Sequence, residues 1–171
     1  MKNPSSAIAK AARNHVIPRL GITNELLYRL CKQLLSKDFY GVFSADDIPN
    51  NLAAYNSFII IVNIATKKST RAGHFVTIVG NSSTINYIDS YGLPCLQPHI
   101  KSFLALCYRK ICYNTRQIQS FNSKYCGLYA LLFACYFDKE NNEGNDFQLL
   151  FHNNRLKQND KLCSTYLTQM I

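Results

Sequence analysis

Cys126 has the sequence surroundings of a reactive thiol. It follows the polar loop Gln119–Tyr125 and precedes the apolar run GLYALLFACYF, which extends from Gly127 to Phe137. This run predicts a helix with Cys126 in its first turn, where unpaired backbone N–H groups and the helix dipole stabilise a thiolate. Gln119 is close enough along the chain for its amide to donate to an oxyanion that forms beside the sulfur.

An imidazole and a carboxylate are expected to meet elsewhere in the chain. The segments His74–Val79 and Thr84–Asp89 are rich in β-branched residues and are separated by a short polar turn. Two strands joined in this way form an antiparallel hairpin. His74 opens the first strand and Asp89 closes the second, so the hairpin should bring both residues to its open end.

These residues supply the parts that thiol catalysis of acyl transfer requires. Cys126 is the candidate nucleophile, His74 the general acid and base, and Asp89 the group that orients the imidazole. Gln119 and the backbone N–H of Cys126 are the candidate oxyanion donors, with Gln117 as a second source of the amide. Each residue also has a structural explanation, because buried cysteines and isolated histidines usually serve packing.

The remaining elements predict one α+β domain. Thr23 can cap a helix whose leucines recur at intervals of three and four residues. The continuous apolar run Ser57–Ala65 predicts a buried strand, and the turn-rich segment Gly41–Pro49 predicts a surface loop or one helical turn. Further expectations are a helix over Leu96–Lys110, an edge strand over Ile111–Ser120, a short helix from Asn145 to about Phe151, and a helix over Asp160–Thr168 capped by Asn159. The sheet is expected to be mostly antiparallel.

The length and the net charge of the chain indicate its domain organisation and the kind of partner it could bind. The chain has 171 residues, which suits a single catalytic domain over residues 21–171 preceded by a basic arm over residues 1–20. Its net charge of +9 favours a polyanionic partner such as nucleic acid, although many basic proteins bind none specifically. A basic nucleic-acid-binding module with an inert thiol therefore remains an alternative.

The cysteine and histidine pattern indicates a reducing compartment. Seven cysteines leave one unpaired in any disulfide scheme, and no secretory signal peptide is evident. Neither the spacing of the cysteines nor the four scattered histidines suggests a metal site. The longest apolar stretch is much shorter than the roughly 20 residues of a membrane span.

The order His, Asp, Gln, Cys resembles the adenovirus protease (adenain) family and its virus-like Polinton (Maverick) relatives, and more remotely the SUMO and ubiquitin-like proteases. The resemblance rests on the motifs Gly73-His74-Phe75, Tyr87-Ile-Asp89-Ser-Tyr-Gly92, Gln119-Ser to Asn122-Ser, and Cys126-Gly-Leu128. The spacing between Gln119 and Cys126 is like that of adenain. Phe75 stands where the family usually has tryptophan, and Asp89 stands where adenain has glutamate.

The resemblance implies a papain-like or adenain-like fold, in which a central sheet packs on the helix headed by the nucleophile. It implies a monomeric cysteine endopeptidase that needs no cofactor and cleaves viral precursor proteins at small-residue sites, in the virion and the host nucleus or cytoplasm. DNA and a viral peptide are candidate activators, the peptide joined through Cys107 or Cys112. A deubiquitinase or deSUMOylase is the alternative within the same clan.

Overall fold

The computed structural model describes residues 22–36, 38–70, 73–140 and 146–170. The predicted basic arm lies outside these residues. Within these residues, four α-helices and five strands follow one another in the order α1 (Asn24–Leu34), β1 (Phe39–Ser44), β2 (Phe58–Asn63), β3 (Phe75–Gly80), β4 (Thr84–Ile88), α2 (Pro98–Leu106), β5 (Lys110–Tyr113), α3 (Cys126–Glu140) and α4 (Leu156–Met170). Two short 3-10 helices occupy Asn50–Ala54 and Asp146–Leu150. The predicted α+β class is confirmed.

The five strands form one sheet in the order β1-β2-β3-β4-β5. The central strands pair antiparallel, β2 with β3 and β3 with β4, whereas the outer pairs β1 with β2 and β4 with β5 are parallel. The sheet is therefore mixed, and the expectation of a mostly antiparallel sheet is wrong at both edges. The connection from β4 to β5 passes through α2, and such a helical crossover returns the chain in the same direction.

Two hydrophobic cores cover the two faces of the sheet. One contains α1, α3 and α4, and the other contains α2 and the first 3-10 helix. Along β2 the side chains alternate between them, so that Ile59 and Ile61 face the α3 side while Ile60 and Val62 face the α2 side. Burial on both faces explains the continuous apolar run in the sequence. No helix in the described ranges is long and apolar enough to cross a membrane.

The predicted hairpin is present as β3 and β4. Its turn is fixed by the side chain of Asn81, which accepts hydrogen bonds from the backbone N–H groups of Ser83 at 2.9 Å and Thr84 at 2.8 Å. The capped first helix is also confirmed, because the Thr23 hydroxyl accepts from the Leu26 N–H at the start of α1.

Several predicted boundaries are wrong for identifiable reasons. The predicted loop Gly41–Pro49 begins as strand β1, since Gly41 to Ser44 pair with β2 before the turn at Ala45. Helix α2 begins later than predicted, at Pro98, where the Gln97 side chain accepts the first free N–H groups. It ends at Leu106, before Tyr108, whose backbone takes the left-handed conformation with φ 49°.

The C-terminal elements also differ from the sequence expectation. Strand β5 ends at Tyr113, because the following Asn114 turns its side chain toward the backbone of Asp89. Helix α4 begins at Leu156, so Asn159 lies inside the helix rather than at its cap. The Asn159 amide is fully buried and donates to the carbonyl groups of Ile118 and His152, each at 2.9 Å. Asn145, the predicted cap of the preceding segment, lies outside the described residues.

Candidate active site

The hairpin brings His74 and Asp89 into direct contact. His74 immediately precedes β3 and Asp89 immediately follows β4, and the register pairs Thr77 with Ile88 near this end. The His74 Nε2 atom lies 2.7 Å from Asp89 Oδ1, with both side chains mostly buried. The imidazole is thus held by a short ion-pair contact that water reaches poorly, which strengthens it.

Asp89 is fixed by its own hydrogen bonds. The backbone N–H of Tyr91 donates to Asp89 Oδ1 at 2.7 Å. The Asn114 side chain clamps the Asp89 backbone, accepting from its N–H at 2.8 Å and donating to its carbonyl at 2.6 Å. Asn114 is buried and had no role in the sequence prediction. Its only sequence signal is an asparagine directly after a short strand, which is too common to identify such a clamp.

Cys126 is the first residue of α3, as the sequence predicts. Burial raises the pKa of its thiol, but the interaction with the His74 imidazole and with the backbone N–H groups of Phe75 and Gly127 outweighs burial, so the net pKa lies below the ordinary cysteine value. The Phe75 N–H comes from the start of β3, so the same strand end that places His74 also stabilises the sulfur anion. The thiolate therefore has charge and hydrogen-bond support.

His74 is shifted in the complementary direction. Burial alone lowers its pKa, yet the contacts with Asp89 and with Cys126 outweigh burial and raise the pKa to about 9. Asp89 occupies Nε2, and the other ring nitrogen, Nδ1, is buried without a hydrogen-bond partner among the described residues, so Nδ1 is the nitrogen left to serve Cys126. A raised imidazole pKa beside a lowered thiol pKa favours a thiolate–imidazolium pair.

An aromatic stack lies against one face of the imidazole. The ring of Tyr91 stacks on His74 with centroids 4.5 Å apart, and Phe121 stacks on Tyr91 at 5.2 Å. Tyr91 is partly buried, whereas Phe121 is 67% exposed. The stack restricts rotation of the His74 ring and extends an apolar surface from the hairpin to the loop that precedes Cys126.

Gln119 is anchored between the hairpin and this loop. Its Oε1 atom accepts from the Ser90 hydroxyl at 2.5 Å, and its Nε2 atom donates to the Ser123 carbonyl at 3.0 Å. The residue is fully buried. One Nε2 hydrogen is committed to Ser123, which leaves the second hydrogen for another acceptor. The Gln117 amide instead donates to the Gln119 carbonyl at 2.8 Å, so it supports the segment around Gln119.

Cys107 and Cys112, the candidate attachment points for a peptide, lie on other elements than Cys126. Cys107 is buried at the end of α2, where its thiol contacts the Phe103 carbonyl and burial raises its pKa. Cys112 is partly exposed in β5, and both are free thiols. Attachment of a peptide through Cys107 or Cys112 stays a prediction. Among the described residues no group of three His, Cys, Asp or Glu side chains could hold a metal ion.

Comparison with known proteins shows a similar fold without a close relative. No protein-family model and no curated protein match the chain. Among solved structures, the central domain of the uncharacterized Lpg1148 protein from Legionella pneumophila aligns with a TM-score of 0.59 and 14% identity, over 89% of this chain and 97% of that domain. A structure of AvrA delL154 with IP6 and CoA aligns with a TM-score of 0.48 and 12% identity, over 96% of this chain and 66% of that one. The first alignment shows that the fold is shared with a solved domain.

Proposed function

We propose that this protein is a cysteine endopeptidase in which Cys126 is the nucleophile. The observation that carries the proposal is the arrangement around His74, whose Nε2 is held by Asp89 at 2.7 Å while its interaction with Cys126 raises the imidazole pKa and lowers that of the thiol. A preformed thiolate–imidazolium pair of this kind is suited to attack on a peptide carbonyl.

The reaction divides into acylation and deacylation. The Cys126 thiolate adds to the scissile carbonyl carbon, and His74 transfers its Nδ1 proton to the leaving amine as the C–N bond breaks. A water molecule then gives a proton to the neutral imidazole and adds to the thioester, which releases the acid and restores the thiolate. Asp89 stabilises the imidazolium during both steps. The Gln119 amide and the Cys126 backbone N–H are assigned to the tetrahedral oxyanion.

The substrate class comes from the resemblance of the site motifs to the adenain-like proteases. We propose precursor proteins of a virus or virus-like element as substrates, cleaved at small-residue sites, with action in the virion and the host nucleus or cytoplasm. The net charge of +9 supports DNA as an activating surface. Asp89 in place of the glutamate of adenain is compatible with the chemistry, because it contacts His74 directly.

The test compares wild-type protein with Cys126→Ala on a library of denatured proteins and peptides. Wild type should cleave and should form a mass adduct with an electrophilic peptide at Cys126, whereas the variant should do neither and keep the same melting temperature. A variant that still cuts would refute the assignment. Labelling of Cys126 by ubiquitin-like vinyl sulfones, without cleavage of the library, would favour the deubiquitinase or deSUMOylase alternative.

The non-catalytic alternative has a different signature. If Cys126 reacts with iodoacetamide only as fast as an ordinary thiol and the protein binds DNA tightly in a salt-sensitive way, the chain is a basic nucleic-acid-binding module. Fast alkylation at pH values well below the ordinary thiol pKa supports the peptidase.

A further inference from the structure

Ser90 holds the candidate oxyanion donor Gln119 at two points. Its hydroxyl donates to Gln119 Oε1 at 2.5 Å, and its backbone carbonyl accepts from the Gln119 N–H at 3.0 Å. Ser90 is 1% exposed and Gln119 is fully buried, so water competes poorly for these contacts. Ser90 also directly follows Asp89, the residue that contacts His74. The reaction proposed above assigns no role to the Ser90 hydroxyl.

The contacts of the Gln119 side chain allow one orientation of its amide group. The Ser123 carbonyl can only accept, so the amide atom 3.0 Å from it must be Nε2. Oε1 must then be the atom that faces Ser90, whose hydroxyl supplies the proton. In the flipped orientation, Oε1 would face the Ser123 carbonyl oxygen without a hydrogen between them. The Ser90 hydroxyl and the Ser123 carbonyl therefore determine together where the second Nε2 hydrogen points.

The Ser123 end of this arrangement is fixed independently of Ser90. The Ser123 hydroxyl oxygen accepts from the Tyr125 N–H at 3.2 Å, and the Ser123 side chain also hydrogen-bonds the Asp160 carboxylate of α4. The Ser123 N–H donates to the Ser120 carbonyl at 2.9 Å. Because these contacts hold the loop without the Ser90 hydroxyl, removal of that hydroxyl should release the amide group and leave the loop in place.

We propose that Ser90 is the positioning residue that directs the Gln119 amide toward the tetrahedral oxyanion. This inference rests on the proposed function, because the oxyanion forms only when Cys126 attacks a carbonyl carbon. The Ser90 proton occupies Oε1 and the Ser123 carbonyl occupies one Nε2 hydrogen, so the other Nε2 hydrogen is the one presented to the oxyanion. Without the hydroxyl, the amide populates orientations in which no N–H faces the oxyanion.

The first test is Ser90→Ala, which removes the hydroxyl and keeps the backbone carbonyl that accepts from Gln119. With a peptide that wild type cleaves, the variant should lower kcat by roughly ten- to hundredfold, because loss of a whole oxyanion donor costs about 10²–10³. KM should change by less than about threefold, since the donor acts only in the transition state. Ser102→Ala, which removes an exposed hydroxyl bonded to Pro98 in α2, should keep the wild-type kcat. An unchanged kcat in Ser90→Ala, at an unchanged melting temperature, overturns the proposal.

A double-mutant cycle determines whether Ser90 acts through Gln119. In the Gln119→Ala background, Ser90→Ala should change kcat by less than about twofold, because the amide that it directs is already absent. An equal fold loss of kcat in both backgrounds overturns the proposal. Alkylation of Cys126 by iodoacetamide forms no oxyanion, so its pH profile should be the same in Ser90→Ala and wild type. A profile that moves to higher pH would show that Ser90 acts on the imidazole through Asp89, which also overturns the proposal.

A measurement without substrate separates failure of this inference from failure of the proposed function. Hydrogen exchange of the Gln119 side-chain N–H groups is followed by NMR in the full chain. Ser90→Ala should accelerate this exchange by roughly tenfold or more, because the buried amide loses one of its hydrogen bonds, and Ser102→Ala should leave it unchanged. Accelerated exchange in a protein whose wild type cleaves nothing refutes the proposed function, while Ser90 still orients the amide. Unchanged exchange in Ser90→Ala overturns this inference whether or not wild type cleaves.

Discussion

Replacement of Asp89 by asparagine should separate the effect of the negative charge at this position from the effect of its hydrogen bond to His74. Asparagine Oδ1 can still accept from His74 Nε2 and from the Tyr91 N–H, so the geometry is retained while the negative charge is lost. The rise of the His74 pKa from 6.5 to about 9 corresponds to about 3 kcal/mol in favour of the imidazolium. Asp89 is the largest of the groups that raise it, and Cys126 supplies most of the rest. Because Asp89 is the largest of these groups, loss of its charge predicts a loss of at least roughly tenfold in the population of the reactive ion pair.

The assay measures the ion pair between Cys126 and His74 directly and needs no known substrate. Alkylation of Cys126 by iodoacetamide is measured from pH 5 to pH 10 by peptide mass spectrometry, and the His74 ring is titrated by NMR. In wild type the imidazole should titrate near pH 9, with fast alkylation well below that pH. In Asp89→Asn the imidazole pKa should fall and the alkylation profile should move to higher pH. Both shifts have one cause, because each partner's charge stabilises that of the other.

An exposed-carboxylate variant supplies the control. Asp47→Asn should leave both profiles unchanged, since Asp47 pairs with Lys67 on the surface. If Asp89→Asn kept the wild-type alkylation profile and the wild-type His74 titration, Asp89 would not stabilise the imidazolium, and the reasoning from the 2.7 Å contact would be refuted.

Two further predictions concern the loop and the start of α3. Gln119→Ala should lower kcat by about two to three orders of magnitude, because the Gln119 amide is assigned to the oxyanion. Gln117→Ala should lower kcat far less, because the Gln117 amide supports the loop. Equal losses of kcat in single-turnover assays would assign the oxyanion role to neither residue. Gly127→Ala should destabilise the fold by about 1–3 kcal/mol in urea unfolding, because a Cβ there would lie 2.0 Å from Ile22 Cγ2 and 3.3 Å from the Phe75 ring. Ile22→Ala should restore most of that loss, and an unrelieved double variant would show that the Phe75 side is the obstacle.

The sequence alone was sufficient to predict those elements whose geometry depends on residues close together in the chain. A two-strand hairpin with a short turn places its two open-end residues together whatever else the chain does, so the approach of His74 and Asp89 could be predicted. The helix start at Cys126 was likewise visible, because a polar loop gives way abruptly to an apolar run. Both predictions depend on short-range chain geometry, which residue types determine strongly.

Long-range hydrogen bonds could not be predicted in the same way. Asn114 reaches back to the Asp89 backbone, and Asn159 reaches back to Ile118 from within α4. Asparagine is common at caps and turns, so its local signal favours those roles, and Asn159 was accordingly assigned as a cap. The parallel pairing of β1 with β2 was missed for a related reason, because the following turn residues obscured a short strand whose partner is set by tertiary packing.

The anchoring of Gln119 connects the two halves of the candidate site. Asp89 and Ser90 follow β4, and Ser123 precedes Cys126 by three residues, so a buried amide that bonds Ser90 and Ser123 fixes the loop relative to the hairpin. The backbone N–H of Gln119 reinforces this link, since it donates to the Ser90 carbonyl at 3.0 Å. The position of the candidate oxyanion donor Gln119 thereby depends on the same hairpin end that orients the imidazole. The proposed nucleophile, base and oxyanion donors are thus held in place by the same contacts, which is the condition under which electrostatic stabilisation of a transition state is most effective.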